Sequence, residues 1–184
     1  AQGRPIAVTG TVLTPTAPWT GGGERPVIGY AVGTQGAADR CAPSRTLSTG
    51  AQYEGVGITS LLSRGHAVVV TDYEGLGTPG THTYMVREAQ AHAVLDAVRA
   101  AAQVSGSGVT ATAPVALAGY SQGGGAAAAA AELAPDYAPE LDLKGAYVGA
   151  PPADLVQVAD RIDGGLYAAF LLYAMAGQLA AYDV

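Results

Sequence analysis

The chain has 184 residues, of which 49% are hydrophobic and 13% charged, and it carries a net charge of −6. This length and composition predict one globular domain with a substantial core and exclude an intrinsically disordered chain. Lys144 is the only lysine, so the sequence offers no cationic patch for phosphates and we expect no nucleic-acid partner. The lone cysteine, Cys41, is either a buried thiol or half of a bridge whose other half lies outside this chain.

Two strands are predicted near the start of the chain. Residues 6–13 and 26–33 alternate apolar with small or polar side chains, a period of two that is typical of strands. Residues 37–52 have no period and predict an irregular segment. Residues 57–64 predict a short helix that ends at Gly65.

A buried strand and a well-defined helix are predicted next. Ala67–Thr71 is a β-branched run without polar alternation, which indicates a strand covered on both faces, as in parallel sheets. Residues 84–104 place apolar side chains at helical spacing. Strands that alternate with helices predict a single α/β domain with a mainly parallel sheet flanked by helices.

The following segment joins a short strand pattern to a glycine-rich turn and a helix. Residues 115–119 are apolar, the motif Gly119-Tyr120-Ser121-Gln122-Gly123 overlaps their end, and residues 122–133 are rich in alanine. Strand, turn and helix with a serine at the turn is the order of the nucleophile elbow of α/β-hydrolases. The alternative is a plain glycine-rich loop with a surface serine, because a chain with 26 glycines matches the short motif by chance.

The last third of the chain ends in a long apolar segment. Residues 144–149 predict another strand, and Asp154 is a candidate N-cap for a short helix that runs to Ala159. Residues 164–182 contain no charged side chain. The favoured interpretation is a buried core helix, and a lid or acyl-binding cap is the second. A membrane span is the least favoured, because the segment is slightly short for it.

Ser121 is the candidate nucleophile. A serine hydroxyl needs an adjacent base, itself oriented by an acid, to attack a carbonyl carbon. The backbone N–H of Gln122, at the positive end of the following helix, is a candidate oxyanion donor. A capping serine in a glycine-rich turn is the alternative interpretation of Ser121.

Asp72 follows the buried strand, at the edge where open α/β sheets bind ligands. If its strand neighbours that of Ser121, Asp72 lies close to the nucleophile. A carboxylate repels an oxyanion, so Asp72 helps only through its N–H or as a protonated carboxyl. From the residues alone, a turn or helix-capping aspartate is the favoured interpretation.

A catalytic base for Ser121 is missing from the expected position. His66, His82 and His92 all precede Ser121, whereas α/β-hydrolases order their triad as serine, acid, histidine. Of the three, His82 alone is expected near the right edge of the sheet. The acids that follow Ser121 include Asp154, Asp160, Asp163 and Asp183.

Taken together, several segments resemble the secretory lipase family of yeasts and actinobacteria. They match it in collinear order from about Ala1 to the last residue. These segments are Thr71-Asp72-Tyr73-Glu74-Gly75, Gly119-Tyr120-Ser121-Gln122-Gly123-Gly124, Leu133-Ala134-Pro135-Asp136-Tyr137-Ala138-Pro139-Glu140-Leu141, Gly149-Ala150-Pro151-Pro152-Ala153-Asp154 and Asp163-Gly164-Gly165.

The resemblance implies a secreted α/β-hydrolase that cleaves fatty-acyl esters, with no cofactor or metal expected. Ser121 would be the nucleophile, and Asp72 with the N–H of Gln122 would form the oxyanion hole, which reverses the interpretation of Asp72 from the residues alone. Residues 1–163 would be the amino-terminal part of the core. Residues 164–184 would begin an apolar helical cap. Contact with a membrane would then occur at most at the surface of the lipid.

Family members are considerably longer than this chain, and their second half supplies the catalytic acid and histidine. The resemblance therefore implies a fold that is incomplete at its carboxyl-terminal side and inactive alone. The base and acid would come from a missing segment or a second chain, with Cys41 as a half-cystine that could tether it. An acyltransferase or peptidase of the same fold, and a non-catalytic lipid-binding remnant, are the alternatives.

Overall fold

The computed structural model describes residue 3 and residues 5–182. The strands are β1 (Gly10–Leu13), β2 (Val27–Ala31), β3 (Ala67–Thr71), β4 (Val115–Tyr120) and β5 (Leu143–Gly149). The α-helices are α1 (Pro43–Ser48), α2 (Gly55–Ser63), α3 (Arg87–Ala101), α4 (Gln122–Tyr137), α5 (Leu155–Ile162) and α6 (Ala169–Tyr182). A 3-10 turn at Asp39–Cys41 precedes α1.

The five strands form one sheet in the order β1-β3-β2-β4-β5. β1 runs antiparallel to β3, and the other three pairs are parallel. Every residue of β3 is buried, as its β-branched run predicts. The mainly parallel α/β architecture predicted from the alternation of elements is confirmed.

Helices cover both faces of the sheet. A Cβ at Gly29 of β2 would lie 3.0 Å from the Val98 side chain of α3. The next residue, Tyr30, brings its hydroxyl to within 3.0 Å of where a Cβ would stand at Gly57 of α2. Because successive side chains of a strand point to opposite faces, α3 and α2 lie on opposite sides of β2.

Some element boundaries differ from the sequence prediction. β1 begins at Gly10 rather than residue 6, because its register with β3 ends where Gly10 faces Thr71. Residues 37–52 are not wholly irregular, since they contain the 3-10 turn and α1. α3 begins three residues later than predicted, because Met85 has a left-handed φ of +62°. α4 continues beyond residue 133 to Tyr137.

The prediction of a buried helix in residues 164–182 is wrong. Within α6 the buried residues are Gly177 and Ala181, whereas Leu172 and Met175 are 66% and 61% exposed. Apolar composition does not reveal how much of a helix another element covers, and here α6 packs through Gly177 and through Ala181, which meets Val86 and Ala89. In the part of the chain that the structure describes, no helix is long and apolar enough to cross a membrane.

Candidate active site

Ser121 occupies the turn between β4 and α4. Its φ is +56° and its ψ is −121°, a conformation that a residue with a side chain adopts only when its surroundings impose it. Its N–H donates to the carbonyl of Gly149 on β5 at 2.9 Å. The turn therefore has the strained geometry of a nucleophile elbow, as its sequence pattern predicts.

Three glycines permit this turn, because backbone atoms of neighbouring residues occupy the positions that their side chains would take. A Cβ at Gly119 would overlap the Gly123 carbonyl, and one at Gly123 would overlap the Ala31 carbonyl. A Cβ at Gly124 would overlap the Gly149 carbonyl. The elbow is thus packed directly against the ends of β2 and β5.

The first turn of α4 presents free backbone donors beside Ser121. The N–H groups of Gln122, Gly123 and Gly124 have no hydrogen-bond partner among the described residues, whereas that of Gly125 donates to the Ser121 carbonyl at 3.0 Å. The amino-terminal end of a helix also carries a partial positive charge. These donors suit a negatively charged oxygen.

The loop after β2, residues 32–35, lies against the elbow. A Cβ at Gly33 would stand 3.3 Å from the Tyr120 carbonyl oxygen. The Gly33 N–H donates to the Glu54 carboxylate at 2.6 Å. Within the described part of the chain, the N–H groups of Thr34 and Gln35 have no partner. Sequence reasoning missed the position of this loop, for which Gly33, two residues after β2, is the signal in the sequence.

Two tyrosines surround the Glu54 carboxylate. Burial is the main cause that raises the pKa of the Tyr30 phenol, and the neighbouring Glu54 carboxylate is the second cause. The same two causes raise the pKa of the Tyr53 phenol. Both therefore stay protonated and able to donate. The Tyr53 hydroxyl donates to the Thr34 carbonyl at 3.4 Å. With the bond from the Gly33 N–H to Glu54, this is a second hydrogen bond that fixes the loop after β2.

Asp72 is buried at the end of β3, and its neighbours differ from those expected. The condition that its strand borders that of Ser121 is wrong, because β2 lies between β3 and β4. Its N–H donates to the Thr9 carbonyl at 2.8 Å. Its carboxylate accepts from the Ser44 N–H at 2.6 Å, the Ser44 hydroxyl at 2.6 Å and the Thr9 hydroxyl at 2.7 Å. Through these contacts Asp72 anchors α1 and the segment before β1.

His82 lies on the loop after β3 and reaches the elbow through Gln122. Its Nδ1 is 2.8 Å from the Glu74 carbonyl oxygen and its Nε2 is 3.1 Å from the Gln122 amide nitrogen. Burial lowers the pKa of His82, while its bond to the Glu74 carbonyl acts in the opposite direction. The neutral imidazole thus contacts the residue after Ser121 and not the serine hydroxyl.

No described histidine is hydrogen-bonded to the Ser121 hydroxyl, which has no partner among the described residues. His66 lies beside Trp19, with ring centroids 6.0 Å apart. His92 stacks on Tyr137 at 3.7 Å and lines a cavity of about 820 Å³ between β1 and α3, which Ser121 does not line. Among the described residues, the three histidines thus have other neighbours than the Ser121 hydroxyl.

Among the described residues, no acid after Ser121 is hydrogen-bonded to a histidine. Asp154 caps α5 by accepting from the N–H groups of Val156 and Gln157, both at 3.0 Å. Asp160 and Asp163 are exposed, and Asp183 lies outside the described residues. At the elbow the structure therefore brings together the Ser121 hydroxyl and backbone N–H groups that have no partner among the described residues.

Comparison with known proteins decides the family. The model of the family described as secretory lipase matches residues 40–183. The chain belongs to the secretory lipase family. Among its relatives, a probable inactive lipase of Mycobacterium tuberculosis is 36% identical over 177 residues, which cover 90% of this chain and 38% of that protein. Lipase 7 of Candida albicans is 30% identical over 183 residues, which cover 96% of this chain and 41% of that protein.

Solved lipase structures share the fold of this secretory lipase chain. Candida antarctica lipase A superposes with a TM-score of 0.81 at 29% identity, over 97% of this chain and 41% of that protein. The rice cell wall degrading esterase LipA of Xanthomonas oryzae gives a TM-score of 0.72 at 27% identity, over 96% and 48%. The chain has the α/β-hydrolase fold, and it spans about two fifths of the length of the curated relatives it matches.

Proposed function

We propose that this secretory lipase chain carries the nucleophile half of a serine hydrolase that acts on fatty-acyl esters. The observation that carries the proposal is the left-handed φ of +56° at Ser121, between β4 and α4. Such strain costs about 1–3 kcal/mol and concentrates where a side chain has to be presented to a ligand. The lipase names of its relatives supply the substrate class.

In the proposed reaction, the Ser121 Oγ attacks the carbonyl carbon of the ester and its proton passes to a base. The carbonyl oxygen becomes an oxyanion, which the free N–H of Gln122 stabilises together with the dipole of α4. The intermediate expels the alcohol, which takes the proton from the base. Water, activated by the same base, then releases the fatty acid from Ser121.

A second oxyanion donor is proposed from the loop after β2. The free N–H groups of Thr34 and Gln35 support it, since this loop borders the elbow and α/β-hydrolases draw their second donor from the loop after the neighbouring strand. The oxyanion role of Asp72 stays a competing prediction. It requires a protonated carboxyl that turns away from Ser44, against the three hydrogen bonds that the carboxylate now accepts.

The base and the acid are proposed to come from a further segment or a second chain. One edge of β5 has no paired strand among the described residues, and Tyr147 on this strand is 67% exposed. An added strand could pair along this edge and carry the missing groups. Cys41 is a free thiol of intermediate exposure, so it remains a proposed tether for such a partner.

The segment 164–184 is proposed as the start of a cap over the acyl site, and residues 1–163 as the core. The exposed side of α6 is apolar and carries no charge, which suits contact with acyl chains or with the surface of a lipid aggregate. Secretion of the protein is proposed from the description of its family. Transfer of the acyl group to an alcohol, or attack on a peptide, would use the same serine.

A non-catalytic lipid-binding protein is the second candidate function. One relative, 36% identical, is named a probable inactive lipase. Fatty-acid binding without ester turnover in the longest natural polypeptide would favour this candidate.

Hydrolysis of p-nitrophenyl esters of graded chain length tests the proposal. We expect the longest natural polypeptide that contains these residues to hydrolyse them, and Ser121→Ala to lower kcat/KM by about 10⁴-fold or more, because the nucleophile is lost. Ser60→Ala, on the exposed side of α2, is the matched control and should leave the rate unchanged. Equal rates for the wild type and Ser121→Ala would refute the assignment of the nucleophile.

A further inference from the structure

His82 has no role in the reaction proposed above, yet it is the one histidine connected to the elbow. We propose that His82 is a positioning residue that fixes Gln122, and with it the oxyanion donor next to Ser121. This inference rests on the proposed function, because it gives the Gln122 N–H a catalytic purpose. Its contacts are independent of that function.

The contacts of the imidazole define its tautomer. The Glu74 carbonyl oxygen only accepts hydrogen bonds, so the His82 Nδ1 at 2.8 Å has to carry the hydrogen. In a neutral ring, Nε2 is then a lone-pair acceptor. It faces the Gln122 amide nitrogen at 3.1 Å, which donates to it. His82 therefore links a backbone carbonyl of one loop to the side chain of the first residue of α4.

Burial makes this link costly to break. His82 is 2% exposed and Gln122 is 1% exposed, so neither can exchange its partner for bulk water. A buried polar group left without a partner has lost its hydrogen bonds to water and gained none in return, which destabilises the fold. The rings of Tyr73 and Tyr84 flank the imidazole, each with a centroid distance of 5.8 Å, and fix its plane. Burial lowers the pKa of His82, and the nearby Glu74 carbonyl and carboxylate oppose this shift.

The same loop also holds the second proposed donor segment. Two residues after His82, the Tyr84 hydroxyl is 2.6 Å from the Thr34 hydroxyl, on the loop after β2. One short segment thus contacts both sides of the proposed oxyanion hole. A change at His82 should displace the Gln122 N–H without affecting the β4 strand that precedes Ser121.

Three variants separate positioning from general stability. His82→Phe keeps the ring volume and removes both hydrogen bonds, His82→Gln keeps a polar end that reaches Gln122, and Gln122→Met removes the partner. In the 184-residue chain, amide exchange at Gly125, whose N–H bonds to the Ser121 carbonyl, reports the elbow. Exchange at Leu117 in β4 is the internal reference. Nitrogen NMR of the His82 ring reports the tautomer.

We expect His82→Phe to speed exchange at Gly125 about tenfold relative to Leu117, and His82→Gln to recover most of the difference. The wild-type ring should be the neutral Nδ1–H tautomer, and Gln122→Met should shift its Nε2 resonance. Uniform acceleration at both amides, or an unchanged ratio, would overturn the inference. If His82→Phe does not fold, the Gln122→Met variant still tests the inference. An unchanged chemical shift of the His82 Nε2 in this variant would overturn the inference.

Activity separates this inference from the proposed function. In the longest natural polypeptide, His82→Phe should lower kcat for p-nitrophenyl esters about tenfold and leave KM unchanged, because the oxyanion forms only in the reaction. If neither the wild type nor the variants hydrolyse esters, the proposed function fails. The amide-exchange and tautomer results then still decide the role of His82. If KM rises as much as kcat falls, positioning of the donor is refuted.

Discussion

Ser121 keeps a backbone conformation that its own side chain disfavours, and three glycines around it make this possible. Each of Gly119, Gly123 and Gly124 sits where a Cβ would overlap a neighbouring carbonyl. The strain at Ser121 is balanced by this close packing of α4 against β2 and β5. Because the glycines recur at fixed offsets from the serine, this part of the site could be predicted from the sequence alone.

Asp72 is a residue whose role its hydrogen bonds can decide. Asp72→Asn keeps the shape of the side chain but turns an amide donor toward the donors of Ser44 and Thr9. We expect the free energy of unfolding in urea to fall by about 2–3 kcal/mol, because buried donors lose their acceptor. Asp160→Asn, at an exposed position, is the control and should change it by less than about 0.5 kcal/mol.

The competing role of Asp72 predicts the opposite pattern. A protonated carboxyl that donates to an oxyanion is imitated by the amide of asparagine. Unchanged stability together with retained ester turnover in Asp72→Asn would therefore support the oxyanion role and contradict the anchoring role. A loss of stability at both Asp72 and Asp160 would show that the assay does not resolve buried from exposed positions.

At the scale of elements, α6 is held by a close contact with the segment before α3. A Cβ at Gly177 would stand 2.5 Å from both the N and O atoms of Tyr84. The Tyr173 ring meets the Tyr84 ring edge to face, with centroids 6.0 Å apart, and the Gln178 amide approaches the Met85 carbonyl at 3.5 Å. α6 thus docks by one small face while its other sides are exposed.

Gly177→Ala tests whether this docking holds α6 in place. Helix propensity alone would favour alanine by about 1 kcal/mol. We nevertheless expect amide exchange across α6 to become about tenfold faster, because the new Cβ pushes the helix off the Tyr84 backbone. Gly55→Ala, at a helical glycine with open space around it, is the control and should not accelerate exchange in its helix. Slower exchange in the Gly177→Ala variant would contradict the docking.

Most elements could be predicted from local patterns, and the exceptions have physical causes. A period of two identified β2, unbroken apolar runs identified β3 and β4, a helical period identified α3, and an alanine-rich run identified α4, because each pattern lies within its own segment. The start of β1 depends on the length of β3, and the start of α3 on a left-handed residue at Met85. The exposure of α6 depends on what packs over it, which its composition does not contain.

At the scale of the whole molecule, strand order determines which residues meet Ser121. β2 separates β3 from β4, so the loop after β2 borders the elbow and Asp72 stands one strand further away. Strand order is a long-range property that local sequence patterns do not encode. For this reason the sequence predicted the elbow turn at Ser121, and missed the position of the loop 32–35 and the link from His82 to Gln122.

The central claim is that Ser121 is a nucleophile built for attack on an ester carbonyl. A fatty-acyl phosphonate that forms a covalent adduct with activated serines tests it most directly, with the labelled peptide identified by mass spectrometry in the longest natural polypeptide. We expect one adduct, on the peptide that contains Ser121, and none in Ser121→Ala. An active enzyme that stays unlabelled, or is labelled on another serine, would contradict it.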